Sequence, residues 1–153
     1  MPIKKLREFL DAHHIKYEVI SHSPSYTAQE IAGLTHIPGR ELAKTVMLNA
    51  DGQMIMAVLP ASHRIDLANL KKAMKLKSLE LASEEEFKYL FPDCETGAMP
   101  PFGNLYQVDV VVAKKLTEDE EIAFNAGTHR ELVRLAYKDF ERLVKPKILP
   151  FVA

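Results

Sequence analysis

The sequence predicts an α+β fold built on a mixed or mostly antiparallel sheet, and three observations lead there. Asp51-Gly52 is a strong two-residue hairpin signal between two apolar runs. Thr27-Ala28-Gln29-Glu30 and Ser83-Glu84-Glu85-Glu86 have the form of capping boxes, each opening a helix. Helices and strands then follow one another without the regular βαβ alternation of a parallel α/β sheet. At 153 residues, with 47% apolar and 27% charged, the chain makes one domain over 1–153 with a single sizeable core.

Ile3, Leu6, Phe9 and Leu10 recur at helical spacing among charged residues, so 3–13 reads as an amphipathic helix that His13 and His14 close. Tyr17 to Ile20 is a short strand. The helix opening near Ala28 turns Ile31 and Leu34 inward and ends before Pro38-Gly39. Ala43 to Leu48 is the outgoing strand of the hairpin and Met54 to Leu59 its return. The return strand is apolar throughout, which places it in the middle of the sheet.

Asp66 caps a helix with Leu67, Leu70 and Met74 inward and Lys71, Lys72 and Lys75 outward. With Lys77 these lysines form the most basic local cluster, a solvated helix face first and a phosphate contact as the lesser alternative. The helix after Ser83 buries Phe87, Leu90 and Phe91. Tyr106 to Ala113, Glu121 to Asn125 and Leu132 to Tyr137 are strands, and Lys138 to Val144 is a last helix stopped by Pro146.

The net charge of −1 argues against a protein that coats long stretches of nucleic acid, while leaving room for one that grips an end. Cys94 is the only cysteine, which excludes an internal disulfide and a cysteine metal cluster. No run approaches the ~18 apolar residues of a membrane span, so the expectation is a soluble, cytoplasmic protein. There is no H-E-x-x-H, G-x-S-x-G or P-loop. Metal hydrolysis, serine catalysis and nucleotide hydrolysis therefore lack a signature, and no metal or cofactor is expected.

Three features remain that could carry chemistry. Gly97-Ala98-Met99-Pro100-Pro101-Phe102-Gly103 is a loop of fixed shape, either a structural turn or a presenter of backbone N–H groups to a ligand. Lys44 shares a strand face with Val46 and Leu48, so its stem either snorkels at the strand end or its ammonium faces a cavity and holds an anion. His129 follows Ala126-Gly127-Thr128 in a turn between two strands, as a surface histidine or a site residue.

Together, Ala43-Lys44-Thr45, the Gly97 to Gly103 loop and Phe124-Asn125-Ala126-Gly127-Thr128-His129 resemble the YbaK-type aminoacyl-tRNA deacylases, which include the prolyl-tRNA synthetase-associated editing domain and its free-standing relatives. The likeness runs over nearly the whole chain. It implies a mixed, strongly curved sheet forming a partly open barrel with helices outside. It also implies hydrolysis of the ester that joins a wrong amino acid to tRNA, with alanine or another small residue on tRNA for proline as substrate. The partner would be the acceptor end of that tRNA, with prolyl-tRNA synthetase as a further candidate and the oligomeric state open. In that family the lysine matching Lys44 contacts the substrate backbone or its phosphate, and the G-x-x-x-P element matching Gly97, Ala98, Met99, Pro100 and Pro101 lines the aminoacyl site. His129 matches a pocket residue of some members, Gly127 lies in the same motif, and Tyr26 and Thr27 match pocket-wall positions.

Such a site needs no triad. Backbone N–H groups at Gly97 and its successors would meet the developing oxyanion, and a water helped by the substrate's ribose hydroxyl would attack. A non-catalytic module using the same pocket for a small ligand or a synthetase is the alternative. A Schiff base at Lys44 is a third.

Overall fold

The structure, a computed structural model, describes residues 3–153; Met1 and Pro2 lie outside the described residues. Helix α1 (Lys4–Ala12) buries Leu6 and Leu10. Strand β1 (Tyr17–Ser21) follows, then α2 (Ala28–Thr35), where the Thr27 side chain accepts the Glu30 N–H at 3.1 Å. The hairpin is β2 (Ala43–Ala50) and β3 (Gln53–Pro60). Asp51 and Gly52 between them have φ of 51° and 85°, the left-handed pair that a primed turn requires.

The chain continues through α3 (Leu67–Ala73), β4 (Leu79–Leu81) and α4 (Glu84–Phe87). After the proline-containing loop come β5 (Asp109–Ala113), β6 (Glu121–Asn125), β7 (Glu131–Ala136), α5 (Tyr137–Val144) and β8 (Lys147–Leu149). Among the described residues no helix is long and apolar enough to cross a membrane.

The strands form two sheets: an antiparallel β1-β7-β6 and a mixed β4-β2-β3-β5-β8, in which β3–β5 and β5–β8 are parallel. A single Leu42↔Ala123 bridge links the entry of β2 to β6. The α+β class holds, with the strands divided between two sheets; no closed barrel is found among the described residues, so the partly open barrel that the resemblance implies is not established. As expected, β3 is central and buried from Ile55 to Pro60.

Alternation along the strands sends Met56, Val58, Val110 and Val112 to the main core, while Ile55, Ala57, Val111 and Ala113 meet Leu70 of α3 and Phe151 in a second cluster. Ile31, Ile37, Leu42, Ala123 and Leu132 form a third beneath α2.

Several local expectations need correcting. Leu34 and Leu90 are 50% and 37% exposed: α2 turns Ile31 to the core and leaves Leu34 outside, and α4 ends at Phe87, so Leu90 falls in the 3-10 turn that follows it (Lys88–Leu90). The strand expected from Tyr106 starts at Asp109, since a 3-10 turn at Gly103–Leu105 and Gln107 at φ 58° delay it. The three-residue edge strands β4 and β8 carry no readable alternation.

Phe102 is the hub of the main core. It is fully buried, with ring centroids 6.0 Å from Phe9, 5.4 Å from Phe124 and 5.5 Å from Phe140. It therefore anchors the proline loop to α1, β6 and α5 at once. Phe102→Ala is expected to cost about 3–5 kcal/mol, a fall of several degrees in the thermal midpoint at this chain length. A midpoint that stays at the wild-type value in a thermal melt would refute the assignment of Phe102 as hub.

Candidate active site

The proline loop and the β6–β7 turn are bound to each other through the backbone. Gly127 N–H donates to Ala98 O at 2.9 Å and Glu95 N–H donates to Gly127 O at 2.8 Å. Gly127 has φ of 96°, and a Cβ there would collide with the Ile3 side chain, so the turn demands glycine. His129 adds two bonds: its backbone N–H donates to Glu95 Oε1 at 2.8 Å, and its Nε2 lies 2.9 Å from Thr96 O. A carbonyl only accepts, so Nε2 carries the proton and the neutral ring has Nδ1 as acceptor, buried and without a hydrogen-bond partner. The ring packs against Tyr26 at 4.7 Å between centroids.

Within the loop, Ala98, Met99, Pro100 and Pro101 are buried and Gly97 is exposed at φ 89°. Burial of two adjacent prolines leaves no amide donors to satisfy at those positions. The Thr45 hydroxyl reaches Met99 O at 3.4 Å and so joins β2 to the loop.

Where the loop, β2, β6 and α2 meet lies a cavity of about 180 Å³. Ile31, Leu42, Ala43 and Met99 make its apolar wall; Lys44, Thr45 and Asn125 supply polar groups; Tyr26 and Gly97 also line it. Lys44 is half-buried, and that burial lowers its pKa below the ordinary lysine value, with the positive charge of Arg64 acting in the same direction. Among the described residues its ammonium has no carboxylate or other polar partner, so an anion entering the cavity would find an uncompensated cation. A larger groove of about 540 Å³ opens at the far end of the hairpin, where Gln53 and Asp109 already bond to each other at 3.3 Å. No cluster of His, Cys, Asp and Glu able to hold a metal ion occurs among the described residues.

The structure thus brings Tyr26, Lys44, Gly97 and Met99 to one cavity. Thr27 caps α2; Ala98, Pro100 and Pro101 back the loop; Gly127 and His129 brace it from behind. The idea that Gly97 and its successors offer a row of free amides needs correction. Ala98 N–H is taken by Glu95 O at 3.0 Å, and Gly97 N–H lies 3.3 Å from the Met99 sulfur, a weak acceptor. Met99 N–H has no partner among the described residues. The sequence does not mark Ile31, Leu42 and Asn125 as lining groups; Asn125 closes β6 as Glu121 opens it, so a polar residue at that strand end gives no distinct signal.

Residues 22–143 match the family model described as an aminoacyl-tRNA editing domain. The prolyl-tRNA editing protein ProX of Acetoanaerobium sticklandii is 32% identical, over 89% of this chain and 86% of that protein. The multifunctional Ser/Thr-tRNA deacylase ProXp-y of Escherichia coli is 27% identical over 97% and 91%. The crystal structure of the hypothetical protein APE2540 superposes with a TM-score of 0.88 over 98% of this chain and all of that one, at 18% identity, a likeness of fold alone. By the extent of the family match and by its likeness to the editing protein, the chain belongs to the aminoacyl-tRNA editing domain family.

Proposed function

We propose that the protein is a free-standing editing deacylase that hydrolyses the ester of a mischarged tRNA, with alanine or another small residue on tRNA for proline as substrate. The observation that carries this reading is the unpaired, half-buried Lys44 in the wall of a small cavity lined by apolar and polar groups together. The family relationship supports the reaction class.

A volume of about 180 Å³ is below the ~300–1,000 Å³ typical of sites for drug-sized ligands, so it suits an aminoacyl group and not a whole nucleotide. Lys44 then holds the terminal phosphate of the tRNA, and Tyr26 offers a ring at the cavity to the terminal base. The Gly97 N–H can exchange its weak sulfur contact for the ester carbonyl, and the Met99 N–H is a second candidate donor. Water adds to the ester carbon, the carbonyl electron pair moves to oxygen, and collapse expels the ribose oxygen. The proton lost by the water passes through the neighbouring ribose hydroxyl to that leaving oxygen. Free amino acid and deacylated tRNA result. Prolyl-tRNA synthetase is the partner we propose as the source of the misacylated tRNA.

Larger amino acids would be rejected by size. Binding alone discriminates a methylene by only ~1–3 kcal/mol, so steric exclusion by the Ile31, Leu42 and Met99 wall must do the rest.

The decisive measurement is release of amino acid from alanyl-, cysteinyl-, seryl-, threonyl- and prolyl-tRNA. Wild-type protein should deacylate at least one of the small residues, and Lys44→Met should lose most of that rate. Since Lys44 is a charge that folding partly desolvates without a partner, Lys44→Met should melt no lower than wild type. A panel left untouched at high enzyme concentration, or full activity in Lys44→Met, contradicts the reading.

The pH dependence follows from the same lysine. A lowered pKa means that the ammonium is present below that pKa and lost as pH rises through it, beneath the ordinary lysine range. Binding of an amide-linked, non-hydrolysable aminoacyl-tRNA end should weaken across that window. Lys44→Arg, which stays charged, should flatten the profile; an equal slope in both proteins would show that Lys44 does not hold the anion.

A further inference from the structure

Asn125 closes β6, and the period-two alternation that sends Ile122 and Phe124 to the main core turns Ala123 and Asn125 toward the α2 side. Its neighbours on that side are apolar: Ile31 and Leu42, with Leu132 directly opposite in register. Asn125 lines the cavity, yet its Oδ1 is buried without a hydrogen-bond partner, and Nδ2 has no partner among the described residues either. A buried amide oxygen left without a partner, as in Asn125, is a standing destabilisation that an apolar side chain of the same size would remove. Its oxygen is the end sealed within the protein, so the nitrogen is the end that a ligand in the cavity can reach.

We propose that Asn125 is a catalytic residue of the deacylation, its Nδ2 donating to the ester carbonyl oxygen as negative charge develops there. This rests on the deacylase reading and adds to it a donor not supplied by the loop. The need for one is visible in the backbone: Ala98 N–H is spent on Glu95, Pro100 and Pro101 have none, and Gly97 N–H sits against a sulfur. Water attack forms the bond from its oxygen to the ester carbon and moves the carbonyl pair onto oxygen, where Asn125 stabilises it. Collapse restores the carbonyl and breaks the bond to the ribose oxygen, which takes the proton from the attacking water. Asn125 itself exchanges no proton. Lys44, also lining the cavity, binds the phosphate in this arrangement, so the two residues divide ground-state binding from transition-state stabilisation.

The test compares Asn125→Ala and the isosteric Asn125→Asp with wild type on the aminoacyl-tRNA that the wild type turns over, reading kcat and KM separately, with a thermal melt of each. Loss of one oxyanion donor should lower kcat on the order of 10²–10³-fold in Asn125→Ala with KM little changed. Asn125→Asp, which puts a negative charge against the oxyanion, should be slower still. A merely structural role predicts the opposite order, since Asp keeps the shape. If Asn125→Asp equals or exceeds wild type, the amide accepts from the substrate's ammonium and the donor role is overturned. Activity retained in Asn125→Ala, or a change confined to KM, overturns it too while leaving the deacylase reading standing. An inert wild type overturns both. Should Asn125→Ala fail to fold, the Asp variant decides alone.

Discussion

The cavity depends on the backbone bonds that join Ala98 and Glu95 to Gly127. These residues belong to segments far apart in the chain, and neither segment is a strand, so no sheet ladder would hold them in register. Two peptide bonds from the proline loop and both polar groups of Gly127 make a short ladder in its place, at 2.8 and 2.9 Å. The geometry is open only to a residue that tolerates φ of 96° with Ile3 packed where its Cβ would be. Once it is made, Gly97 and Met99 are fixed relative to β6, and the Thr45 hydroxyl fixes them relative to β2. His129 serves the same end through Glu95 and Thr96, so its ring is a brace behind the cavity wall.

The other side of the loop faces the main core. Phe102 packs among Phe9, Phe124 and Phe140, and Gly103 passes so close to Val108 and Val110 that a Cβ would not fit. Pro100 and Pro101 lie between this anchor and the cavity, both buried. A buried loop is ordinarily penalised by the amides it strands away from water. Consecutive prolines remove two of those amides and fix φ at the same positions. The segment can thus run through the interior as rigidly as a strand without needing a strand partner.

Much of this architecture is legible in the sequence where the signal is local. Asp51-Gly52 dictates its own turn, Thr27, Asp66 and Ser83 dictate their caps, and the apolar run of β3 declares a central strand. What escapes is set by tertiary contact. Strands β4 and β8 are three residues long and exist because β2 and β5 offer free edges; Leu34 and Leu90 match the helical spacing but meet no partner. That the strands divide into two sheets, joined at a bridge between Leu42 and Ala123, is encoded by no periodicity. At the site, Lys44 stands out because a cation on an apolar strand face has to be explained. Asn125 does not, because its oddity lies in having no partner, and partners are known only once the chain is folded.

Unsatisfied groups are not spread evenly over this molecule. Among the described residues four buried side-chain atoms lack a partner; three belong to His22, Asn125 and His129, and the His22 backbone N–H is bound to Arg130 beside the same β6–β7 turn. Lys44, in the wall of the cavity, is a half-buried cation that the charge of Arg64 repels. Folding therefore leaves an unpaired amide oxygen and an unpaired cation in the wall of one cavity. A sequence selected for stability alone would lose by keeping them, since each lowers the free energy gap between folded and unfolded chain. The arrangement makes physical sense when the deficits are complementary to a ligand that supplies an anion for the lysine and a carbonyl for the amide. The terminal adenylate of an aminoacyl-tRNA has both, its 5′-phosphate and its aminoacyl ester being carried on one ribose.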